Sequence, residues 1–140
     1  MIGTRALAVA CIVLGPAVTA SGQEVSFHKD VYPILEANCA VCHAPHGVGY
    51  ARSGFSVQTY ETVMKGTKYG AVVIPGSSLD SNLVWLLEHQ ADPSINMPKV
   101  CEQMTPEYEK CEMASQSSRH LPRQELIVIM EWVDQGAKDN

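Results

Sequence analysis

The feature that most constrains this chain is the five-residue run Cys39-Ala40-Val41-Cys42-His43. A Cys-x-x-Cys-His run is typical of covalent attachment of a c-type haem. On a helix, two sulfurs three residues apart share one face, where they can form thioethers with the two vinyl groups of one porphyrin. The histidine that follows can present an imidazole nitrogen to the iron. The run therefore predicts two covalent tethers, Cys39 and Cys42, and one axial iron ligand, His43.

The first twenty residues have the pattern of a secretory signal peptide. Arg5 supplies the positive start, residues 6–14 form an uninterrupted apolar run, and residues 18–20 are small enough for cleavage near Ala20. The apolar run is shorter than the roughly 20 residues that span a bilayer, so we do not expect membrane association after cleavage. We expect a periplasmic or otherwise exported protein, because c-type haem is attached in an oxidising compartment outside the cytoplasm.

Residues 21–140 are enough for one domain with a small core. The chain has 10 basic and 15 acidic side chains, and of these only Arg5 lies in the leader, so the exported part carries a net charge of −6. This balance argues against nucleic acid and against an anionic membrane surface as partners. It favours a redox partner with a basic docking surface.

The hydrophobic pattern predicts an all-α fold of about four short helices and no strand pair. The first helix, with Asp30 as its cap, leads into the Cys-x-x-Cys-His run, and the last helix carries Trp132, which is expected to pack against the first. Trp85, on the third helix, is expected in the core or in the wall of the haem site. Two segments are predicted to be irregular, residues 44–56 and 99–120. The predicted helices span residues 30–43, 59–65, 81–90 and 122–135.

The second axial position decides whether the iron can bind a substrate, because a thioether there fills it and raises the reduction potential. Five methionines follow the leader: Met64, Met97, Met104, Met113 and Met130. Met64 and Met130 lie on apolar helical stripes that are typical of core residues, whereas Met104 and Met113 lie among charged residues. Met97 comes 54 residues after His43 and is followed by Pro98, which favours an extended backbone suited to holding a thioether over a porphyrin. Met97 is therefore the predicted second ligand.

Two residues near His43 affect its assignment. His46 is a rival ligand, but Pro45 disfavours a helical face shared with His43, so His46 is expected on an exposed loop. A backbone carbonyl usually orients the second nitrogen of a ligating imidazole. Pro45 and Pro75 are both candidates for that carbonyl, and the sequence leaves the choice open.

The chain resembles mono-haem class I cytochromes c and, more narrowly, the planctomycete-type cytochrome c domain. The matching stretches are residues 27–43 (FHKDVYPILEANCAVCH), 60–76 (YETVMKGTKYGAVVIPG), 96–98 (NMP) and 132–137 (WVDQGA). The resemblance implies one covalent haem c on Cys39 and Cys42, axial ligands at His43 and Met97, and a few helices wrapped around the macrocycle. It makes residues 21–140 a cytochrome c domain, in which residues 99–120 form a longer link than the family pattern has.

Two cysteines outside the motif, Cys101 and Cys111, are predicted to form a disulfide that closes the 99–120 loop, because they are close in sequence and exported. Two separate thiols are the alternative. A zinc site that combines them with Cys39 and Cys42 is disfavoured, because it would leave the imidazole and the thioether without a role.

Three functional classes follow from these residues. The first is an exported mono-haem cytochrome that carries single electrons between redox partners, a dehydrogenase or an oxidase among them, either on its own or as the cytochrome subunit of an oxidoreductase complex. The second is a haem sensor or peroxidase-like enzyme with an open distal site, which requires that Met97 not bind iron. The third is a thiol–disulfide oxidoreductase, which would need a strand before the Cys-x-x-Cys pair where this sequence predicts a helix.

Overall fold

A computed structural model of the chain describes residues 22–101 and 113–140. Within these ranges the chain is helix-rich, as the all-α prediction expects. A π-helical turn, Phe27–Val31, runs directly into the first α-helix. The elements that follow are α1 (Tyr32–His43), α2 (Val48–Ser53), α3 (Tyr60–Lys65), α4 (Asn82–Leu87), β1 (Lys99–Cys101), β2 (Met113–Ser118) and α5 (Arg123–Asp134).

The cap of the first helical segment lies four residues earlier than the sequence predicts. Ser26, and not Asp30, occupies the cap: its Oγ accepts a hydrogen bond from the Lys29 amide at 3.2 Å. Asp30 instead bonds backwards, with its carboxylate accepting from the Ser26 amide at 2.8 Å. This reciprocal arrangement satisfies amides that the first turn would otherwise leave without acceptors. The segment then delivers the two cysteines and His43 at the end of α1, as predicted.

The two ends of the described domain pack together around Trp132. The Trp132 ring lies 5.3 Å from the Phe27 ring between centroids, which confirms the predicted contact of the last helix with the first. Trp132 also donates from its indole nitrogen to the Lys138 carbonyl at 2.9 Å. The core around this contact is aliphatic and aromatic, and its fully buried members include Phe27, Val31, Leu35, Val63, Ile129, Trp132 and Val133.

Two predictions in the middle of the chain are wrong. The segment 44–56 is not loop throughout, because α2 forms inside it and ends at Gly54 with φ 74°. The helix predicted third along the chain is α4, and it is shorter than predicted. Trp85 on this helix is 47% exposed and belongs to neither the core nor the cleft described below. One apolar face of so short a helix suffices for the core, and Leu83, Val84 and Leu87 supply it.

A short antiparallel strand pair replaces part of the irregular segment predicted at 99–120. In it Lys99 pairs with Ser118 and Cys101 with Met113, with an irregular register between the two pairs. The Arg119 amide extends the ladder by donating to the Pro98 carbonyl at 3.0 Å. The strand pair therefore anchors the chain directly after Met97 to the approach to α5.

The predicted signal peptide at 1–20 lies outside the described residues. In the two ranges that the structure describes, no helix is both long and apolar enough to cross a membrane.

Candidate functional site

One cleft brings together the side chains that the sequence singles out. Its empty space, counted with the part open to solvent, is about 790 Å³. Cys39, Cys42 and His43 line it from α1, and Met97 lines it from the segment after α4. The wall between them is largely apolar and is formed by Phe55, Val72, Leu83, Leu86, Leu87 and Pro98.

His43 lies at the C-terminal end of α1 with its ring held by a backbone carbonyl. Its Nδ1 is 3.1 Å from the Phe55 carbonyl oxygen, and the Phe55 ring packs edge-on against the imidazole at 5.3 Å. A carbonyl only accepts, so Nδ1 carries the proton and Nε2 keeps the lone pair that a metal needs. The orienting carbonyl is therefore that of Phe55, and neither Pro45 nor Pro75 supplies it.

The environment of His43 favours the neutral imidazole. Burial lowers the pKa of His43, and the hydrogen bond to the Phe55 carbonyl offsets part of that effect. A neutral ring is the form that ligates metal. His46, the rival ligand, is exposed on the turn after α1 and does not line the cleft.

Gly49 of α2 lies directly against the imidazole, and sequence reasoning missed it. A Cβ at this position would come within 2.8 Å of His43 Cε1, 3.0 Å of His43 Nε2 and 2.9 Å of the Cys42 carbonyl oxygen. Only glycine leaves the metal-facing edge of the ring unobstructed. The glycines in residues 44–56 are the available signal for a close approach of the backbone, but glycine content of this kind equally predicts a loop.

Cys39 and Cys42 both line the cleft from α1. Burial raises the pKa of Cys39 to about 12; the Arg119 charge opposes this rise, and Cys42 and Glu125 add to it. Burial also raises the pKa of Cys42. Cysteines that act as nucleophiles in disulfide exchange sit in surroundings that lower the thiol pKa, and these surroundings do the reverse.

Met97 lines the cleft from a segment whose backbone is held by hydrogen bonds. Its amide donates to the Leu86 carbonyl at 3.1 Å, and its carbonyl lies 3.1 Å from His89 Nε2. Directly before it, the buried side chain of Asn96 accepts from the Ala91 amide at 3.2 Å. The thioether therefore comes from a short strap, residues 96–98, whose backbone is hydrogen-bonded to the end of α4.

The other methionines do not compete for the cleft where the structure describes their side chains. Met64 and Met130 are half-buried and pack against the core, as predicted. Met104 and the side chain of Met113 lie outside the described residues. So do Cys111 and the side chain of Cys101, so the disulfide stays a prediction. In residues 22–101 and 113–140, no three His, Cys, Asp or Glu side chains cluster closely enough to hold a metal ion.

A polar network closes one side of the cleft mouth next to Cys39. Asn38 donates from Nδ2 to the Glu125 carboxylate at 3.0 Å and to the Ile34 carbonyl at 2.8 Å. Its Oδ1 accepts from the Arg119 guanidinium at 2.6 Å. Arg119 follows β2 and Glu125 lies on α5, so Asn38 joins both elements to α1.

The donor set and the shape of the cleft fit haem c. Such a group requires two cysteine sulfurs on one helical face, a neutral imidazole with an accessible nitrogen, a thioether and apolar walls. The cleft supplies each of these. The glycine against the imidazole leaves room for a flat ring system at that edge.

Comparison with known proteins agrees with this chemistry. The family model described as Planctomycete cytochrome C matches residues 39–100, a stretch that includes Cys39, Cys42, His43 and Met97. The chain is also similar to hydrazine synthase subunit alpha from Kuenenia stuttgartiensis, with 30% identity over 130 residues. That match covers 81% of this chain but 15% of the subunit. No solved structure matches the chain. The family match and the residues within it support a planctomycete-type cytochrome c domain at residues 39–100.

Proposed function

We propose that this chain is an exported mono-haem cytochrome c domain that passes single electrons between redox proteins. One haem c is attached through Cys39 and Cys42, and its iron is ligated by His43 and Met97. The observation that supports this most is the cleft itself, because Cys39, Cys42 and His43 line it together with a methionine 54 positions after the histidine.

Each residue has a separate task in this proposal. Cys39 and Cys42 tether the porphyrin to α1, and His43 ligates from the same side with its ring oriented by the Phe55 carbonyl. Met97 ligates from the strap and, by filling the second axial position, leaves no site for a substrate at the iron. When bound, the haem supplies a ferric/ferrous couple that takes up and releases one electron.

The apolar wall adjusts this couple and keeps water away. A thioether ligand and burial in apolar surroundings both favour the ferrous form, so we expect a positive reduction potential. Transfer would occur where the macrocycle edge meets solvent at the cleft mouth.

The test is expression of the full chain in a host that exports it and attaches c-type haem. Mass spectrometry should show a chain shortened by the leader and heavier by one haem. The ferric spectrum should be low-spin with the weak near-infrared band of a sulfur–iron bond. Absence of porphyrin by mass would refute the proposal.

Met97→Ala tests the distal ligand, and Met64→Ala is the matched control because Met64 packs against the core instead of lining the cleft. We expect Met97→Ala to lose the sulfur–iron band, bind carbon monoxide readily in the ferrous form and show a lower potential. Met64→Ala should keep the band.

The same spectra separate the alternatives. High-spin ferric haem in the unchanged protein would favour the sensor or peroxidase-like function, with an open distal site. Exported protein without haem, whose Cys39–Cys42 pair oxidises and reduces reversibly, would favour thiol–disulfide exchange.

The proposed partners are other redox proteins, and the exported, acidic chain would meet them outside the cytoplasm. Similarity to a segment of a much larger enzyme subunit favours a variant of the proposal, in which the domain serves inside an oxidoreductase complex. Purification from the native exported fraction, followed by identification of co-purifying redox proteins, distinguishes a complexed domain from a diffusing carrier.

A further inference from the structure

Within the described residues, the side chain that donates to the backbone of the strap at residues 96–98 is that of His89. The Met97 amide and the Pro98 carbonyl bond to backbone groups, those of Leu86 and Arg119. The Met97 carbonyl instead lies 3.1 Å from Nε2 of His89. The His89 imidazole is therefore hydrogen-bonded to the residue whose side chain is the proposed thioether ligand.

His89 holds two segments with one N–H. The same Nε2 lies 3.2 Å from the Arg119 carbonyl, and since both partners are carbonyl oxygens, Nε2 must carry the proton. The ring of His120 stacks on His89 with centroids 3.8 Å apart and planes inclined by 28°, which limits rotation of the donor. His89 thus joins the Met97 strap to the chain that follows β2.

The backbone at His89 makes the presence of a side chain there notable. Beyond the end of α4, the His89 amide donates to the Leu86 carbonyl at 3.3 Å and the Gln90 amide to the Trp85 carbonyl at 3.1 Å. This pair of bonds is a Schellman motif, whose left-handed residue is usually glycine. His89 has φ 58°, a conformation with a steric cost that glycine avoids. The position holds a histidine despite that cost, and the ring makes the two bonds described above.

The connection continues to the helix that bears His43. Arg119, whose carbonyl accepts from His89, donates from its guanidinium to Asn38 at 2.6 Å, one residue before Cys39. The strap and α1 are therefore joined by the side chains of His89, Arg119 and Asn38.

We propose that His89 is a positioning residue for Met97. By fixing the Met97 carbonyl relative to Arg119, it limits motion of the strap away from the iron and disfavours replacement of the thioether by other ligands. This inference rests on the proposed His/Met ligation.

The experiment uses ferric holoprotein and titration with imidazole, which competes with the thioether for the iron. His89→Gly removes the donor while relieving the backbone conformation, so lost function cannot be attributed to a worse helix end. His89→Gln restores an N–H at a similar distance from the backbone. His46→Gly is the matched control, since His46 is also a histidine with positive φ, 74°, and is exposed.

Loss of one hydrogen bond should raise the apparent affinity for imidazole about fivefold in His89→Gly, corresponding to about 1 kcal/mol. The sulfur–iron band should weaken in that variant, recover in His89→Gln and stay unchanged in His46→Gly. The inference is overturned if His89→Gly binds imidazole as the unchanged protein does, if His46→Gly shifts equally, or if His89→Gln fails to recover. Absence of the band in the unchanged protein would refute the ligation itself, a result visible before any variant is compared.

Discussion

Gly49→Ala is the substitution that most directly tests the geometry of the haem site. The added methyl group would lie 2.8 Å from His43 Cε1 and 2.9 Å from the Cys42 carbonyl oxygen. Carbon contacts are relaxed at about 3.5–4.0 Å, so α2 or the imidazole must move by several tenths of an ångström. Neither neighbour is a flexible side-chain end: one is α1 backbone, and the other is the ring held by Phe55.

The net effect is the difference between two terms of opposite sign. Overpacking of this kind costs about 1–3 kcal/mol. Alanine in place of glycine inside a helix recovers about 0.5–1 kcal/mol. We therefore expect the free energy of unfolding of the holoprotein to fall by about 1–2 kcal/mol, although alanine is the better helix former. Because the methyl group presses on the Nε2 edge, the visible spectrum should also change.

The assay is denaturant unfolding of ferric holoprotein followed by its absorption, with the spectrum in native buffer recorded in parallel. Gly22→Ala is the control, since a Cβ there would meet nothing within 4 Å. The control should keep both the midpoint and the spectrum. If Gly49→Ala also kept both, the close approach of α2 to the imidazole would be refuted.

Two further predictions concern the scaffold. Thr59→Ala removes the capping box that Thr59 forms with Thr62, so thermal or denaturant unfolding should show a loss of about 1 kcal/mol. The Thr59 side chain is also the largest cause that lowers the pKa of Glu61 below its ordinary value, so the ionised Glu61 contributes stability that is lost as the pH falls through this lowered pKa. Thr59→Ala should flatten this acid limb, and an unchanged limb would contradict the assignment. Trp132→Phe removes the indole hydrogen bond to the Lys138 carbonyl and also side-chain volume in the core. It should lower the free energy of unfolding by about 2 kcal/mol. An unchanged unfolding midpoint would argue against the packing of the last helix on the first helical segment.

The parts of the fold that the sequence predicts correctly are those with local signals. Thr59 caps α3, the last helix begins just after Pro122, and the first helix ends in the Cys-x-x-Cys-His run. Each depends on residues within a few positions of one another, so propensity and capping are sufficient. The start of the first helix was misplaced because Ser26 and Asp30 can both cap, and their reciprocal bonds decide in favour of the earlier residue.

Helix α2 could not be predicted because its stability is not local. Its sequence, VGYARS, contains a glycine that lowers helix propensity. No neighbouring residue indicates that this glycine packs on an imidazole. The strand pair could not be predicted for a similar reason. Strand β1 has only three residues, and it pairs with a strand that lies beyond the gap between the two described ranges. The sequence predicts Trp85 in the core or in the wall of the haem site, yet the short helix that carries it buries a different face.

The same division applies within the site. Three of its four proposed haem contacts come from one five-residue run, and the fourth, Met97, could be chosen because its proline neighbour distinguishes it from methionines on helical stripes. What holds Met97 could not be inferred, because the His89 bridge to Arg119 spans 30 positions and the Arg119 bond to Asn38 spans 81. Sequence pattern thus identifies the atoms that would contact the iron, whereas the stiffness with which the thioether is presented depends on long-range hydrogen bonds. Substitutions that preserve the motif but break those bonds should leave haem attachment intact and alter ligand exchange, which separates the two roles experimentally.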